Sequence, residues 1–246
     1  SRRLCGVAMA ISLIFSNLIY LQSAHAENPQ PRKIYSGWIP YYSVKTSLPA
    51  ALNNSDLIKE VMPFWYTLKY SNSKVSIVDL YTPANPSIPI SQPLATMRSA
   101  GMTIIPTITD GTDKLVLSNL LSTESGRTLA VNAILDLVTQ NNFDGIDLDF
   151  ENFAFVDGNT SWDKTKPYWI LFVKQLSDAL HSQAKLLSIT SPYLLDPATG
   201  KKGYYVYAWA EIASYIDRLR IMTYDYSVAK PGPIGPITWT ENTLKY

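Results

Sequence analysis

Residues 143–152 read FDGIDLDFEN, and this stretch decides the fold. Its acidic side chains Asp147, Asp149 and Glu151 stand two positions apart, with apolar residues at the positions between them. Because successive side chains of a β-strand point to opposite faces, the three acids would share one face and the apolar residues the other. In a barrel strand one face packs on helices and the other looks into the barrel. The pattern therefore predicts a barrel strand with carboxylates inside.

Short apolar runs typical of strands alternate with helical patterns along the rest of the chain. The runs are Ile34–Ile39, Glu60–Thr67, Thr103–Ile108, Phe143–Phe150, Leu186–Ser191 and Leu219–Tyr224. One of the intervening helices is predicted to begin at Pro167 and to present an apolar face made of Trp169, Phe172, Val173, Leu176 and Leu180. Strands separated by helices favour right-handed crossovers and a parallel sheet.

The predicted fold is therefore an α/β fold of the (β/α)8 TIM-barrel class. A closed barrel of this class needs eight strands, and six are visible. We expect a barrel that stops after about six βα units. The alternative is a complete, doubly wound open sheet.

Composition excludes several classes of protein. The 246 residues are 46% hydrophobic and 17% charged, which is not the composition of a disordered chain. The formal net charge is +1, so the basic surface of a nucleic-acid-binding protein is not expected. Sixteen Tyr and six Trp supply flat faces that suit sugar rings as well as protein cores.

The first 26 residues have the order of a secretory signal peptide. Arg2 and Arg3 precede an apolar stretch, residues 4–21, and the small-x-small site Ala24-His25-Ala26 follows. An uncleaved anchor is the alternative. We expect cleavage after Ala26, which leaves the predicted barrel over residues 27–246. The product would be a secreted or cell-wall-associated monomer without a membrane segment.

Removal of the signal peptide restricts the available chemistry. Residues 27–246 contain no Cys and one His, His181, in a helical pattern where a surface position is expected. Cys–His chemistry is impossible and a His-rich zinc site is not expected. The reaction would depend on carboxylates, Tyr, Lys or Ser, with no metal and no cofactor.

The acidic strand suits general acid catalysis. Buried like charges spaced two residues apart cannot all ionise cheaply, so at least one should hold a proton near neutral pH. Glu151, last on the strand, lies nearest the carboxyl-terminal mouth and is the predicted proton donor. Asp149 can share its proton, and Asp147, the deepest, would push Asp149 toward protonation. A divalent-cation site and a solvated acidic edge are the alternatives.

Two motifs carry a resemblance to a known family. Asp144–Glu151 resembles the D-G-x-D-x-D-x-E signature of glycoside hydrolase family 18, and Met222–Asp225 resembles its M-x-Y-D segment. They fall on the fourth and sixth predicted strands, as in that family, and the resemblance covers residues 33 to about 240. Within the signature, Asp144 and Gly145 are assigned to the structural part of the motif.

The resemblance implies a role for each of the remaining motif residues. Glu151 would protonate the glycosidic oxygen, Asp149 would orient the N-acetyl group of the substrate, and Asp147 would tune Asp149. Tyr224 would donate a hydrogen bond to the acetamido oxygen, and Asp225 would contact the distorted sugar or its water. The nucleophile is then the substrate's own acetamido oxygen, with net retention, an exception to the usual two-carboxylate scheme.

The resemblance also implies the partner, a polysaccharide that contains N-acetylglucosamine, either chitin or peptidoglycan. Residues 106–111, PTITDG, stand where the family often has S-x-G-G, and they look more like the peptidoglycan and spore-cortex-lytic branch. Candidate substrate-binding residues are Met222 and the aromatic residues Trp38, Trp65 and Tyr193, for which barrel packing is the alternative role. The competing functions are a non-catalytic sugar-binding relative and a metal-dependent hydrolase.

Overall fold

The computed structural model describes residues 33–194, 196, 199, 201 and 203–245. The predicted signal peptide, residues 1–26, lies outside the described residues. The chain divides into a unit of residues 1–34 and a unit of residues 35–246, and every element described below belongs to the second unit.

A sheet of six parallel strands forms the frame of this unit. In spatial order the strands are β1 (Tyr35–Pro40), β2 (Ile58–Ser71), β5 (Thr107–Asp110), β6 (Gly145–Asp149), β7 (Leu186–Ser191) and β8 (Arg218–Ile221). Two short strands pair with β2 outside this order: the antiparallel β3 (Lys74–Asp79) and the parallel β4 (Thr103–Ile104). Spatial order follows chain order, as sequential βαβ units require.

Helices fill the connections between the parallel strands. They are α1 (Val44–Asn53), α2 (Tyr81–Ala84), α3 (Ser91–Ser99), α4 (Val116–Leu121), α5 (Glu124–Gln140), α6 (Asn152–Phe155), α7 (Trp162–His181), α8 (Trp209–Ile212) and α9 (Ile237–Leu244). Single 3-10 turns occupy Tyr205–Tyr207 and Ala213–Tyr215. Among the described residues, no helix combines the length and the apolar character needed to cross a bilayer.

The sheet curls into part of a barrel. β1 and β8 are the two ends of the strand order, yet Arg220 of β8 donates from Nη1 to Ser36 Oγ of β1 across 2.7 Å. A flat, doubly wound sheet would hold these strands far apart, since neighbouring strands are about 4.8 Å apart. The predicted barrel is therefore confirmed as a curled parallel half-barrel, and the open-sheet alternative is wrong.

The core lies between the outer face of the sheet and the helices. Ile146 and Leu148 of β6 are fully buried there, and the ring of Phe150 stacks on that of Phe172 in α7 with centroids 6.3 Å apart. The predicted apolar face of α7 is confirmed, because all five of its residues are fully buried. The helix begins at Trp162 rather than at Pro167, since Trp162 is itself anchored by a hydrogen bond from its indole to Ala154 O.

A β-hairpin was not expected from the sequence. β2 runs to Ser71 and turns back into β3 through Asn72 and Ser73, whose φ angles are 50° and 58°. A two-residue turn with two positive φ angles is the type that matches strand twist. Asn-Ser is a weaker signal for it than Asn-Gly, because serine adopts positive φ less readily than glycine.

Gly145 provides a test of how tightly β6 fits against β7. A Cβ on this residue would lie 2.3 Å from Leu186 O and 2.7 Å from Leu186 Cβ. Because both atoms belong to a paired strand, Gly145→Ala should lower the free energy of unfolding by about 2 kcal/mol, measured by urea denaturation. Gly37→Ala in β1 is the control, since a Cβ there meets nothing within 4 Å. Equal losses for the two variants would contradict this packing.

Candidate active site

Asp147 lies inside the half-barrel at the centre of the candidate site and has no solvent exposure. Strand register places Thr107 of β5 and Ser188 of β7 on either side of it. Thr107 Oγ1 donates to Asp147 Oδ2 at 2.9 Å, and Ser188 Oγ donates to Oδ1 at 2.6 Å. Thr190 Oγ1 lies 3.1 Å from both carboxylate oxygens. Three hydroxyl groups from the two neighbouring strands therefore surround one carboxylate.

A cation balances this buried charge. Arg220 Nε lies 3.7 Å from Asp147 Oδ1. Burial raises the pKa of Asp147, and the hydrogen bond from Ser188, the positive charge of Arg220 and the other hydroxyls oppose that rise. Burial has the larger effect, so the pKa of Asp147 stays raised, and the hydroxyl groups and Arg220 are the neighbours that favour its ionised form.

Asp149 is the proton holder of the site. Burial, then the negative charges of Glu151 and Asp147, raise the pKa of Asp149 to about 8. A hydrogen bond between Asp149 and Glu151 raises the pKa of Asp149 further. Burial raises the pKa of Glu151 as well, and the same hydrogen bond opposes that rise. At neutral pH the pair therefore shares one proton, which rests on Asp149.

Glu151 does not belong to the strand. β6 ends at Asp149, and Glu151 stands at the beginning of the short helix α6. The prediction that it is the last residue of the strand is therefore wrong by two residues. Its half-buried carboxyl group remains beyond the carboxyl end of the strand, on the side where barrel active sites lie.

The Met222–Asp225 segment follows the end of β8. Met222 N–H donates to Ser191 O at 2.9 Å and so continues the strand pairing. Burial and the negative charges of Asp149, Glu151 and Asp225 raise the pKa of Tyr224 to about 12. The phenol thus stays protonated and lies close enough to the two carboxyl groups to feel their charges. Asp225 is exposed and has a positive φ of 60°.

The aromatic candidates divide into different environments. Trp38 is 38% exposed, and its indole Nε1 donates to Thr107 Oγ1 at 3.1 Å. Tyr193 is partly buried between Tyr204 and Trp239, with ring centroids 5.6 and 5.7 Å away. Together with Asp225 it borders a cavity of about 320 Å³. Both Trp38 and Tyr193 keep a surface that a sugar could contact.

Trp65 departs from the prediction. It is fully buried and lies against Tyr81, with ring centroids 4.4 Å apart. Strand parity is the reason: Glu60, five residues earlier in β2, points into the barrel, so Trp65 points to the helical layer. No face of this indole is accessible to a ligand, and its assignment as a substrate-binding residue is corrected to a core residue.

The first two positions of the acidic motif hold strands together. Asp144 Oδ2 accepts a hydrogen bond from Ile104 N at 2.7 Å and so ties the beginning of β6 to β4. Gly145 leaves no room for a side chain against Leu186. These contacts are structural, in line with the part assigned to both residues.

The comparison with known proteins agrees with this geometry. The family model for glycosyl hydrolases family 18 matches residues 35–245. The chain belongs to glycosyl hydrolases family 18. The match spans both the acidic strand and the segment after β8.

Two curated proteins and one crystal structure illustrate the relationship of this family 18 chain to its relatives. It is 27% identical over 206 residues to "Putative sporulation-specific glycosylase YdhD" of Bacillus subtilis (strain 168), covering 79% of this chain and 46% of that protein. It is 30% identical over 116 residues to Chitinase A1 of Niallia circulans, covering 46% of this chain and 16% of the other. The chain thus spans less than half the length of either relative.

The solved chitinase of Chromobacterium violaceum ATCC 12472 shares the fold of this family 18 chain. The two align with a TM-score of 0.68 at 20% identity, over 87% of this chain and 64% of the other. At that identity the likeness concerns the fold alone.

Several residues of this family 18 site were not singled out from the sequence. Ser188 and Thr190 alternate in LLSITS, and Arg218 and Arg220 alternate in RLRI. Polar side chains on one face of otherwise apolar strands were the available signal. The buried Tyr207 hydroxyl donates to Phe150 O at 2.6 Å, beside the acidic motif, and had no such signal.

The three carboxyl groups are poorly suited to share one metal ion. Both oxygens of Asp147 already accept hydrogen bonds from hydroxyl groups. Asp149 and Glu151 interact with each other through a hydrogen bond. In the described part of the chain, no three side chains of His, Cys, Asp or Glu are grouped as a metal site requires.

Asp149 should destabilise the folded protein at neutral pH. Its pKa in the folded protein, about 8, lies above its usual value of 3.8, so its contribution to stability falls as the pH rises from about 4 to about 8. Asp149→Asn should therefore raise the free energy of unfolding at pH 7 by about 1–3 kcal/mol and leave it nearly unchanged at pH 4. Urea denaturation at both pH values measures this. Asp144→Asn, which changes an exposed carboxylate of the same motif, should show no such gain.

Proposed function

We propose that this chain is the catalytic barrel of an exported, retaining glycoside hydrolase that cleaves β-1,4 bonds next to N-acetylglucosamine. Chitin and the glycan strands of peptidoglycan are the two substrates of this kind. Membership of family 18 supports the reaction class. The observation that carries the proposal is the placement of Asp149 against Glu151 at the mouth of the half-barrel, where burial and the charges of Glu151 and Asp147 raise the pKa of Asp149 to about 8.

Glu151 acts as the general acid and base in this proposal. It is only half-buried and lies beyond the end of β6, so a glycosidic oxygen can reach it. Asp149, its partner in the hydrogen bond, passes the shared proton to it. A positioned carboxylic acid that is still protonated at neutral pH is what protonation of a leaving group requires.

The substrate's own acetamido oxygen is the nucleophile. Asp149 Oδ1 is buried and accepts no hydrogen bond from the described residues, which makes it a suitable acceptor for the amide N–H of the acetamido group. Tyr224, protonated and close to both carboxyl groups, can donate to the acetamido oxygen. Attack of that oxygen on C1, followed by water, gives retention of the anomeric configuration.

The names of two relatives bear on the choice between the two polysaccharides. The name of Chitinase A1 states chitin as the substrate of that protein, and the Bacillus subtilis relative is named for sporulation. Comparing colloidal chitin with purified murein as substrates of the whole protein distinguishes them.

Glu151→Gln should abolish turnover without loss of substrate binding. An amide of the same size cannot supply a proton, so kcat on a chromogenic chitobioside should fall by about 10³-fold while KM changes little. Asp144→Asn is the matched control, since an amide oxygen can still accept the hydrogen bond from Ile104 N. Wild-type turnover by the Gln variant would end the assignment. An inverted product, detected by NMR immediately after cleavage, would end the substrate-assisted mechanism.

The activity should disappear above the pH at which Asp149 loses its proton. Because the protonated pair is the active form, kcat/KM should decline as the pH rises through about 8, the pKa of Asp149. Asp147→Asn removes one of the negative charges that raise this pKa, so the alkaline limit should move to lower pH. A pH profile of kcat/KM measures both effects. An alkaline limit that stays in place in this variant would show that Asp147 does not act on the pair.

A further inference from the structure

Arg220 crosses the interior of the half-barrel beneath the acidic residues. From β8 it donates to three groups: through Nη1 to Ser36 Oγ of β1 at 2.7 Å, through Nη2 to Glu60 Oε1 of β2, and through Nε to Ser188 Oγ of β7 at 3.0 Å. Its side chain is 13% exposed and that of Glu60 is 3% exposed. The guanidinium group is therefore held from three strands, with a buried counter-ion.

The contact with Ser188 sets the direction of a hydroxyl group. A guanidinium group can only donate hydrogen bonds, so Ser188 Oγ must accept from Arg220 Nε. The single proton of Ser188 is then free to point at Asp147 Oδ1, 2.6 Å away. Arg220 thus turns Ser188 into a donor to Asp147.

A second chain of donors reaches the other oxygen of Asp147 in the same way. The indole of Trp38 can only donate, and it donates to Thr107 Oγ1 at 3.1 Å. The proton of Thr107 therefore points at Asp147 Oδ2, 2.9 Å away. With both oxygens receiving directed donors, the site matches a carboxylate that only accepts.

We propose that Arg220 is a positioning residue that holds Asp147 as an ionised, accept-only carboxylate and thereby keeps the catalytic proton on the Asp149–Glu151 pair. This role rests on the proposed function, since it concerns the same proton. Because Asp147 is already negatively charged, ionisation of the neighbouring Asp149 is costly, and the shared proton therefore stays on the Asp149–Glu151 pair. Arg220 supplies the opposite charge that allows Asp147 to remain ionised without solvent.

The charged groups around Asp147 come from few elements. Asp149 lies on the same strand and Glu151 just beyond it. β8 contributes Arg220, and β2 contributes Glu60 through that arginine. β5 and β7 face Asp147 with hydroxyl groups alone. Arg220 is thus the cation in direct range of Asp147, at 3.7 Å.

The test is a pH titration of Asp147 monitored by carboxyl carbon NMR. The whole protein is labelled at aspartate, and the Asp147 signal is assigned as the one that is missing in Asp147→Asn. Arg220→Gln should move the titration midpoint of Asp147 upward by roughly one pH unit or more. Arg220→Lys keeps the charge and should bring the midpoint back toward the wild-type value.

Arg218→Gln is the matched control. Arg218 stands on the same strand and its Nη2 lies 3.4 Å from Glu60 Oε2, and its charge is not directed at Asp147. Loss of the Arg218 charge should shift the titration midpoint of Asp147 clearly less than loss of the Arg220 charge does. An unmoved midpoint in Arg220→Gln, or an equal shift in Arg218→Gln, would overturn the proposal.

Glu60→Gln keeps Arg220 and provides a second test, which also serves if Arg220→Gln does not fold. Removal of the counter-ion leaves more of the positive charge for Asp147, so its midpoint should move downward. General damage to the barrel would not produce shifts of opposite sign in the two variants. A midpoint that stays or rises would count against the role of Arg220.

These readouts separate this role from the proposed function. If the wild-type protein cleaves neither chitin nor murein, the hydrolase assignment fails, whereas the NMR midpoints still measure the effect of Arg220. If the wild type is active and the midpoints do not respond, the role of Arg220 fails alone.

Discussion

A carboxylate without solvent is the constraint on which this half-barrel depends. Transfer of an isolated charge into a protein interior costs so much that the group either takes up a proton or is compensated by neighbours. Asp147 is compensated from both adjacent strands and from Arg220. β5 and β7 flank β6 directly. Arg220 of β8 also contacts Ser36 of β1 and Glu60 of β2, and these contacts require the sheet to curl.

The compensated charge organises the groups above it. In our proposal Asp147 is ionised, so that its charge helps Asp149 keep a proton and Glu151 accepts a hydrogen bond from Asp149. In the proposed mechanism Asp147 carries the charge, Asp149 holds the proton and Glu151 delivers it to the substrate. Tyr224 remains protonated near Asp149 and Glu151 because burial and the negative charges of these groups raise its pKa. Raised pKa values in adjacent acidic groups of one cleft are common at catalytic sites.

Much of the site could be predicted because its acidic residues lie within one short, continuous segment of the sequence. The two-residue spacing of Asp147 and Asp149 places them on one face of β6, and Glu151 follows just beyond the end of that strand. Trp65 shows the limit of such reasoning, since its position at a strand end did not reveal which face of β2 it occupies. The end of β6 could not be located either, because Phe150 continues the apolar alternation after strand pairing has stopped.

By itself, the sequence determined the parallel α/β architecture, the acidic face of β6 and the family, because these follow from local periodicity and a continuous motif. Only the tertiary structure decided which cation meets Asp147, where its hydroxyl donors come from and which tryptophan faces the interior. Arg220 and Glu60 stand on strands far apart in the chain, and their contact exists only across the lumen of a curled sheet. Strand periodicity specifies a face, whereas the partner opposite that face is set by how the sheet closes.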